Sequence, residues 1–174
     1  MKSVLVAIVV FMAVHAVAQE SKAPATLKSV LLQGLRDTHN DKNWFVSGKE
    51  ALAGLTPKQA AWTDGKNHSV GQLAQHLVYW NGSSLARFKG EHPQDPADNN
   101  DTFKFDEKDW DATVKKFDDV MKQLEDVVQS ADDATLAKIA PTVARIAEHN
   151  AYQLGEIVMV RKAQGAWNPE TGVK

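Results

Sequence analysis

The sequence predicts an all-α protein, a single-domain four-helix bundle preceded by a signal peptide. Three observations support this fold class. Apolar residues recur at helical spacing in four long segments, capping residues mark the ends of those segments, and no alternating pattern typical of strands competes with them. Four such helices, with long connections after the first and second, are typical of a bundle in which facing helices bury their apolar stripes.

The beginning of the chain has the layout of a secretory signal peptide. Lys2 precedes a short apolar run, and the small residues Ala16 and Ala18 form a cleavage site. The run is shorter than the roughly 20 residues that span a bilayer. We therefore expect cleavage of residues 1–18, with no stable membrane insertion afterwards, and export of residues 19–174 as one periplasmic or extracellular domain. Retention of the segment as an anchor is the alternative.

Composition limits the chemistry that this sequence can perform. It contains no cysteine, so disulfides and thiolate catalysis are excluded. The formal net charge is −2, and acidic and basic residues alternate without a basic block. This distribution argues against nucleic acid as a partner. The domain is long enough to be held together by a hydrophobic core alone.

Four long helices account for most of the predicted structure. We place them at about 25–38, 69–89, 107–129 and 141–164. Gly90 and Gly165 follow the second and the fourth helix, where a helix often ends in a glycine. The fourth helix is predicted to begin at about Pro141.

Capping-box spacing, in which Ser or Thr is followed three residues later by Glu or Gln, occurs three times between the first and second long helices. The pairs are Ser47 with Glu50, Thr56 with Gln59, and Ser69 with Gln72. The first two pairs predict short helices in the connection, and the third predicts the start of the second long helix.

A histidine and a glutamine one turn apart are the most informative pair for function. His149 and Gln153 lie in IAEHNAYQLGEI, so they project from the same side of the fourth helix. His76 is placed to meet them from the second helix, and Glu156 returns to nearly the same side. A metal ion held by these side chains is one interpretation. The alternative is a hydrogen-bonded cluster around buried water.

Three segments resemble the DinB-like superfamily of four-helix proteins: NWFVSGKEALAGLTPKQAAW, HSVGQLAQHLVYW and EHNAYQLGEIVMVRKAQGAW. The resemblance covers nearly all of the chain after the signal peptide. It implies a divalent ion, usually zinc or nickel, bound by one histidine of the second helix and an H-x-x-x-H pair of the fourth. By position, His76 and His149 match two of these ligands, and Gln153 stands where the third histidine belongs. Tyr152 and Gly155 also match.

The resemblance implies a metal-dependent hydrolase or transferase acting on an unknown small molecule. In this hypothesis His76 and His149 bind the metal, Gln153 is a weak ligand or positions water, and Glu156 is a fourth ligand or a general base. An amide oxygen is a weaker ligand than imidazole for zinc or nickel. One alternative is therefore a non-catalytic bundle that has lost its metal and binds a small ligand or a protein. Another is a homodimer formed through an exposed helix face.

We expect structural roles, not functional ones, for the other histidines and for the aromatic pair before the second long helix. We expect His39, His68 and His92 at surface or capping positions. Trp44 and Phe45 are expected to pack their loop, with a place in the wall of a pocket as the alternative.

Overall fold

The structure is a computed structural model that describes residues 24–171. The predicted signal peptide, residues 1–18, lies outside the described residues, so its cleavage and the boundary at residue 19 stay predictions. Between residues 24 and 171, none of the helices combines the length and apolarity needed to cross a membrane.

Six α-helices and no strand form the described part of the chain, which confirms the all-α prediction. The four long helices are α1 (Leu27–His39), α4 (Val70–Phe88), α5 (Trp110–Ser130) and α6 (Asp133–Ala163). The connection between α1 and α4 contains α2 (Gly48–Leu52) and α3 (Pro57–Ala61). Short 3-10 helices lie at Asn99–Phe103, Glu107–Asp109 and Pro169–Thr171.

The long helices form a four-helix bundle around one core. α4 packs against α5 and α6, and α1 also packs against α5 and α6. Each helix contributes large, completely buried apolar side chains, as the helical spacing predicts. These include Leu35, Leu77, Met121, Leu124 and Ile157. Because α4 and α6 are direct neighbours, polar residues on their facing sides can meet.

The fourth long helix begins at Asp133, so the predicted start at Pro141 is wrong. Asp132 caps the helix and accepts a hydrogen bond from the Thr135 backbone N–H at 2.7 Å. Pro141 lies inside the helix, where it removes one backbone hydrogen bond. The early turns also bury Leu136 against the core, and this burial together with the cap offsets the cost of the proline.

Two of the three predicted capping boxes are confirmed. Thr56 at the start of α3 and Ser69 at the start of α4 each exchange both hydrogen bonds with the glutamine three residues later. Ser47 precedes α2 but makes no capping hydrogen bond through its side chain, so the prediction is wrong there. The first residue of α2, Gly48, instead packs closely on Phe117, and a Cβ at this position would lie 2.5 Å from the Phe117 ring.

Candidate functional site

The two histidines that the sequence analysis assigned to one site are in direct contact, with their rings inclined at 63° to each other. His76 extends from α4 and His149 from α6, and their Nε2 atoms are 3.2 Å apart. His76 is only 4% exposed, whereas His149 is half-buried. The direct packing of α4 on α6 therefore joins two residues that lie far apart in the sequence.

Gln153 lies one turn after His149 on α6 and is 6% exposed. Its Oε1 atom has no hydrogen-bond partner among the described residues. A buried carbonyl oxygen left without a partner costs about 1–3 kcal/mol, unless water or a cation satisfies it. Gln153 therefore presents an acceptor oxygen that the protein itself does not use.

Glu156 lies one turn further along α6 and interacts with a neighbour on the same helix. Its Oε1 accepts a hydrogen bond of 3.0 Å from the Tyr152 hydroxyl, which raises the pKa of Tyr152. Within residues 24–171, no three His, Asp or Glu side chains are grouped so that they could hold a metal ion. The carboxylate of Glu156 is therefore not grouped with the two histidines around one ion.

Thr102, in the 3-10 helix before α5, fixes the orientation of His76. Its hydroxyl oxygen lies 2.6 Å from Nδ1 of His76 and 2.7 Å from the carbonyl oxygen of Asn99. Because that carbonyl can only accept, the hydroxyl donates its single proton there and accepts from Nδ1–H of His76. Nε2 of neutral His76 is then unprotonated and faces His149.

Phe103 packs between two histidines. Its ring centroid lies 4.0 Å from that of His76 and 4.0 Å from that of His68, with interplanar angles of 9° and 3°. The sequence analysis did not identify Thr102 or Phe103 as site residues. In the sequence, Phe103 stands out only as an aromatic residue directly after a long polar loop. The packing of that segment on α4 brings Phe103 to the histidines.

Burial keeps both facing imidazoles in their neutral form. Burial, followed by the nearby His149 and His68, lowers the pKa of His76 to about 4. Burial also lowers the pKa of His149, although the charge of Glu156 opposes this effect. At neutral pH the two rings therefore have lone pairs available for a hydrogen bond or for a metal.

A cavity of about 860 Å³ is lined by other residues of α4 and α6, and neither His76 nor His149 lines it. Gln72, one turn before His76 on α4, lines it together with Glu156 of α6. His68 lines it as well, and reaches His76 through the ring of Phe103. A small molecule bound in this cavity would therefore contact Gln72, Glu156 and His68, and not the His76–His149 pair itself.

Two other residues occupy positions that differ from the sequence predictions. His39 is 3% exposed, and its ring nitrogens contact Glu125 at 2.6 Å and Asp118 at 3.0 Å. The expected surface or capping role is wrong. The ring is buried because two carboxylates of α5, Glu125 and Asp118, pair with its nitrogen atoms. Trp44 is fully exposed, so it neither packs its loop nor forms the wall of the cavity.

The two histidine nitrogens are spaced as two ligands of one metal ion would be. Ligands about 2.0–2.1 Å from a tetrahedral zinc ion lie about 3.3–3.4 Å from each other, and the Nε2 atoms are 3.2 Å apart. Gln153 adds an oxygen without a competing donor. The spacing of the two histidines fits a divalent ion, and a neutral amide oxygen such as that of Gln153 is a weaker ligand for zinc or nickel than imidazole.

Comparison with known proteins identifies one family. A family model described as the DinB superfamily matches residues 49–159. The match extends from α2 into the last turns of α6 and includes both histidines, Gln153 and Glu156. Searches of the curated proteins and of the solved structures gave no significant match.

Proposed function

The chain belongs to the DinB superfamily, and from this premise we propose that it binds a divalent metal ion between α4 and α6 and acts as an exported metal-dependent hydrolase or transferase. One observation carries the proposal: the Nε2 atoms of His76 and His149 lie 3.2 Å apart, next to the helix turn that holds the unpartnered oxygen of Gln153. Zinc and nickel are the preferred ions, since both favour imidazole nitrogen.

Each residue of the site has a proposed role. His76 and His149 are the metal ligands, and Gln153 is a weak third ligand or positions a water molecule. Glu156, held in place by Tyr152, is a general base, because its carboxylate is not grouped with both histidines around one ion in the described residues. When bound, a divalent ion supplies Lewis-acid chemistry and lowers the pKa of a coordinated water toward neutrality.

Export is the second part of the proposal, and the layout of residues 1–18 supports it. Expression of the full chain in a secreting host, followed by mass spectrometry of the purified protein, tests it. Cleavage after Ala18 predicts a mature chain that begins at Gln19. A protein that retains Met1 in the cytoplasm would contradict export.

Metal content and affinity of the untagged protein test the metal site. We expect near-stoichiometric zinc or nickel in the natural protein, and its loss in His76→Ala. His92→Ala is the matched control, because His92 is an exposed loop residue outside the site. A natural protein that fails to bind either ion, while Gln153→His binds tightly, would contradict the proposed metal-dependent activity.

A non-catalytic binding protein is the competing function, and one observation favours it. His76 and His149 can satisfy each other directly through their 3.2 Å contact, so the bundle does not require a metal to pair these nitrogens. In that case the cavity would serve a small ligand or a protein partner. Association into a homodimer stays a prediction, and size-exclusion chromatography with light scattering tests it.

A further inference from the structure

The cavity of about 860 Å³ lies between two segments that are distant in the sequence. Residues 62–68, between α3 and α4, form one wall, and one side of α6, between residues 152 and 163, forms the other. Its volume is within the range of pockets that bind small organic molecules. We call it the side cavity. It is separate from the proposed metal site, because neither His76 nor His149 lines it.

Each wall of the side cavity carries an aromatic side chain and a carboxylate. Trp62 and Asp64 belong to the loop wall, and Tyr152 and Glu156 belong to the α6 wall. Tyr152 is 64% exposed, so its ring is accessible to a ligand. A carboxylate attracts a cation through its charge, and the face of an aromatic ring attracts one through its quadrupole. The two walls therefore favour a ligand charge of the same sign.

The carboxylates of the side cavity keep their negative charge. Asp64 accepts hydrogen bonds from the backbone N–H groups of Lys66 and Asn67, each at 2.9 Å, and these bonds lower its pKa. Glu156 accepts a hydrogen bond from the neutral hydroxyl of Tyr152. The ammonium group of Lys66 is the one opposing side-chain charge among the lining residues, with the imidazole of the lining histidine neutral. The two carboxylates therefore outweigh the single ammonium group.

We propose that the side cavity binds small organic cations of the ammonium class, attracted by the carboxylates of Asp64 and Glu156 and packed against the rings of Trp62 and Tyr152. Met159 is 65% exposed and lines the same space, so it would contact the alkyl part of such a ligand. Quaternary ammonium ions are commonly recognised by aromatic side chains in this way. The inference goes beyond the proposed function, because it concerns a ligand site that contains neither histidine of the metal site.

Three small molecules of similar shape test the proposal by isothermal titration calorimetry of the purified protein. Choline carries a quaternary ammonium group, tert-butylethanol has carbon in place of that nitrogen, and tert-butylacetic acid is an anion at neutral pH. We expect choline to bind about tenfold more tightly than the neutral alcohol, which corresponds to the combined attraction of the rings and the carboxylates. The anion should bind more weakly than either.

Two charge variants should change the affinity for choline in opposite directions. Asp64→Asn removes a negative charge but keeps an oxygen for the backbone N–H groups of Lys66 and Asn67. It should weaken choline binding about threefold, as expected for an exposed charge pair. Lys66→Gln removes the opposing charge and should strengthen binding about twofold. Glu148→Gln is the matched control, because Glu148 is an exposed residue of α6 that does not line the side cavity.

A pair of variants at Tyr152 tests the contribution of its ring. Tyr152→Leu removes the aromatic face and should weaken choline binding about threefold, with a smaller effect on the neutral alcohol. Tyr152→Phe keeps the ring and loses only the hydrogen bond to Glu156, so it should bind choline at least as tightly as the natural protein.

The proposal is overturned if choline binds no more tightly than the neutral alcohol, if Asp64→Asn leaves the affinity for choline unchanged, or if Lys66→Gln weakens it. Equal affinities of Tyr152→Leu and Tyr152→Phe for choline would also overturn it. All titrations contain a chelator, so that they do not depend on a bound metal. Failure of the natural protein to bind zinc or nickel would contradict the proposed metal site alone, and the two proposals can therefore fail separately.

Discussion

The hydroxyl of Thr102 accepts a hydrogen bond from Nδ1 of His76 at 2.6 Å, and this bond determines which nitrogen of His76 faces His149. The hydroxyl proton is used on the carbonyl oxygen of Asn99, 2.7 Å away. Hydrogen bonds of this kind fix the tautomer and the ring orientation of metal-binding histidines. Thr102 is thus a positioning residue for the proposed site.

Replacement of Thr102 by valine removes this hydrogen bond and keeps the shape of the side chain. We predict that Thr102→Val weakens zinc affinity by about tenfold, because the His76 ring loses its fixed tautomer. Competition with a chromophoric chelator measures the affinity. Thr113→Val is the control, since Thr113 is a buried threonine of α5 outside the site. Equal affinities for the natural protein and Thr102→Val would exclude the positioning role.

Gln153 is predicted to lower the stability of the metal-free protein and to contribute to metal binding. Gln153→Leu removes the buried oxygen that has no partner, so with chelator present it should stabilise the fold by about 1 kcal/mol. With saturating zinc, the natural protein should gain stability in proportion to its affinity, and the variant should gain less. Urea denaturation under both conditions measures these differences. Destabilisation by Gln153→Leu in chelator would show that the oxygen is satisfied in solution.

His39 is predicted to make stability depend on pH. Burial by itself would lower the pKa of His39, but hydrogen bonds to Glu125 and Asp118, and the charges of both, raise it above 6.5 overall. Its contribution to stability is therefore full below about pH 6.5 and is lost as pH rises through the higher pKa of the folded state.

Substitution of His39 by glutamine tests this dependence. His39→Gln should cost about 2 kcal/mol at pH 6, as expected for a hydrogen bond to charged groups, and less at pH 9. Urea denaturation at both pH values gives the difference, and His92→Gln controls for histidine titration at the surface. A cost that is the same at both pH values, or larger at pH 9, would show that the charge on His39 does not stabilise the fold.

Two glycines of α4 should respond in opposite ways to alanine. A Cβ at Gly71 would overlap the ring of Phe105, whereas a Cβ at Gly82 would meet nothing within 4 Å. We predict that Gly71→Ala destabilises the protein by about 1–3 kcal/mol through overpacking, and that Gly82→Ala stabilises it by about 0.5–1 kcal/mol through helix propensity. Thermal denaturation of both variants measures the effects. Similar changes in both would contradict the packing of Phe105 on α4.

Local patterns were sufficient to predict much of the helical structure. The Thr56 and Ser69 capping boxes form as their spacing indicates, because a capping box involves only four consecutive residues. The fourth helix was predicted to begin at about Pro141, but the Asp132 cap and the burial of Leu136 extend it toward the N-terminus. Local preference fails where packing contributes more free energy.

The sequence by itself determined which residues share a helix face, and tertiary structure decided which faces meet. Helical periodicity alone places His149 one turn before Gln153. The contact of His149 with His76, the hydrogen bond from His76 to Thr102, and the burial of His39 against α5 all join segments distant in sequence. No local pattern encodes these contacts, because they depend on how the apolar stripes of several helices pack into one core.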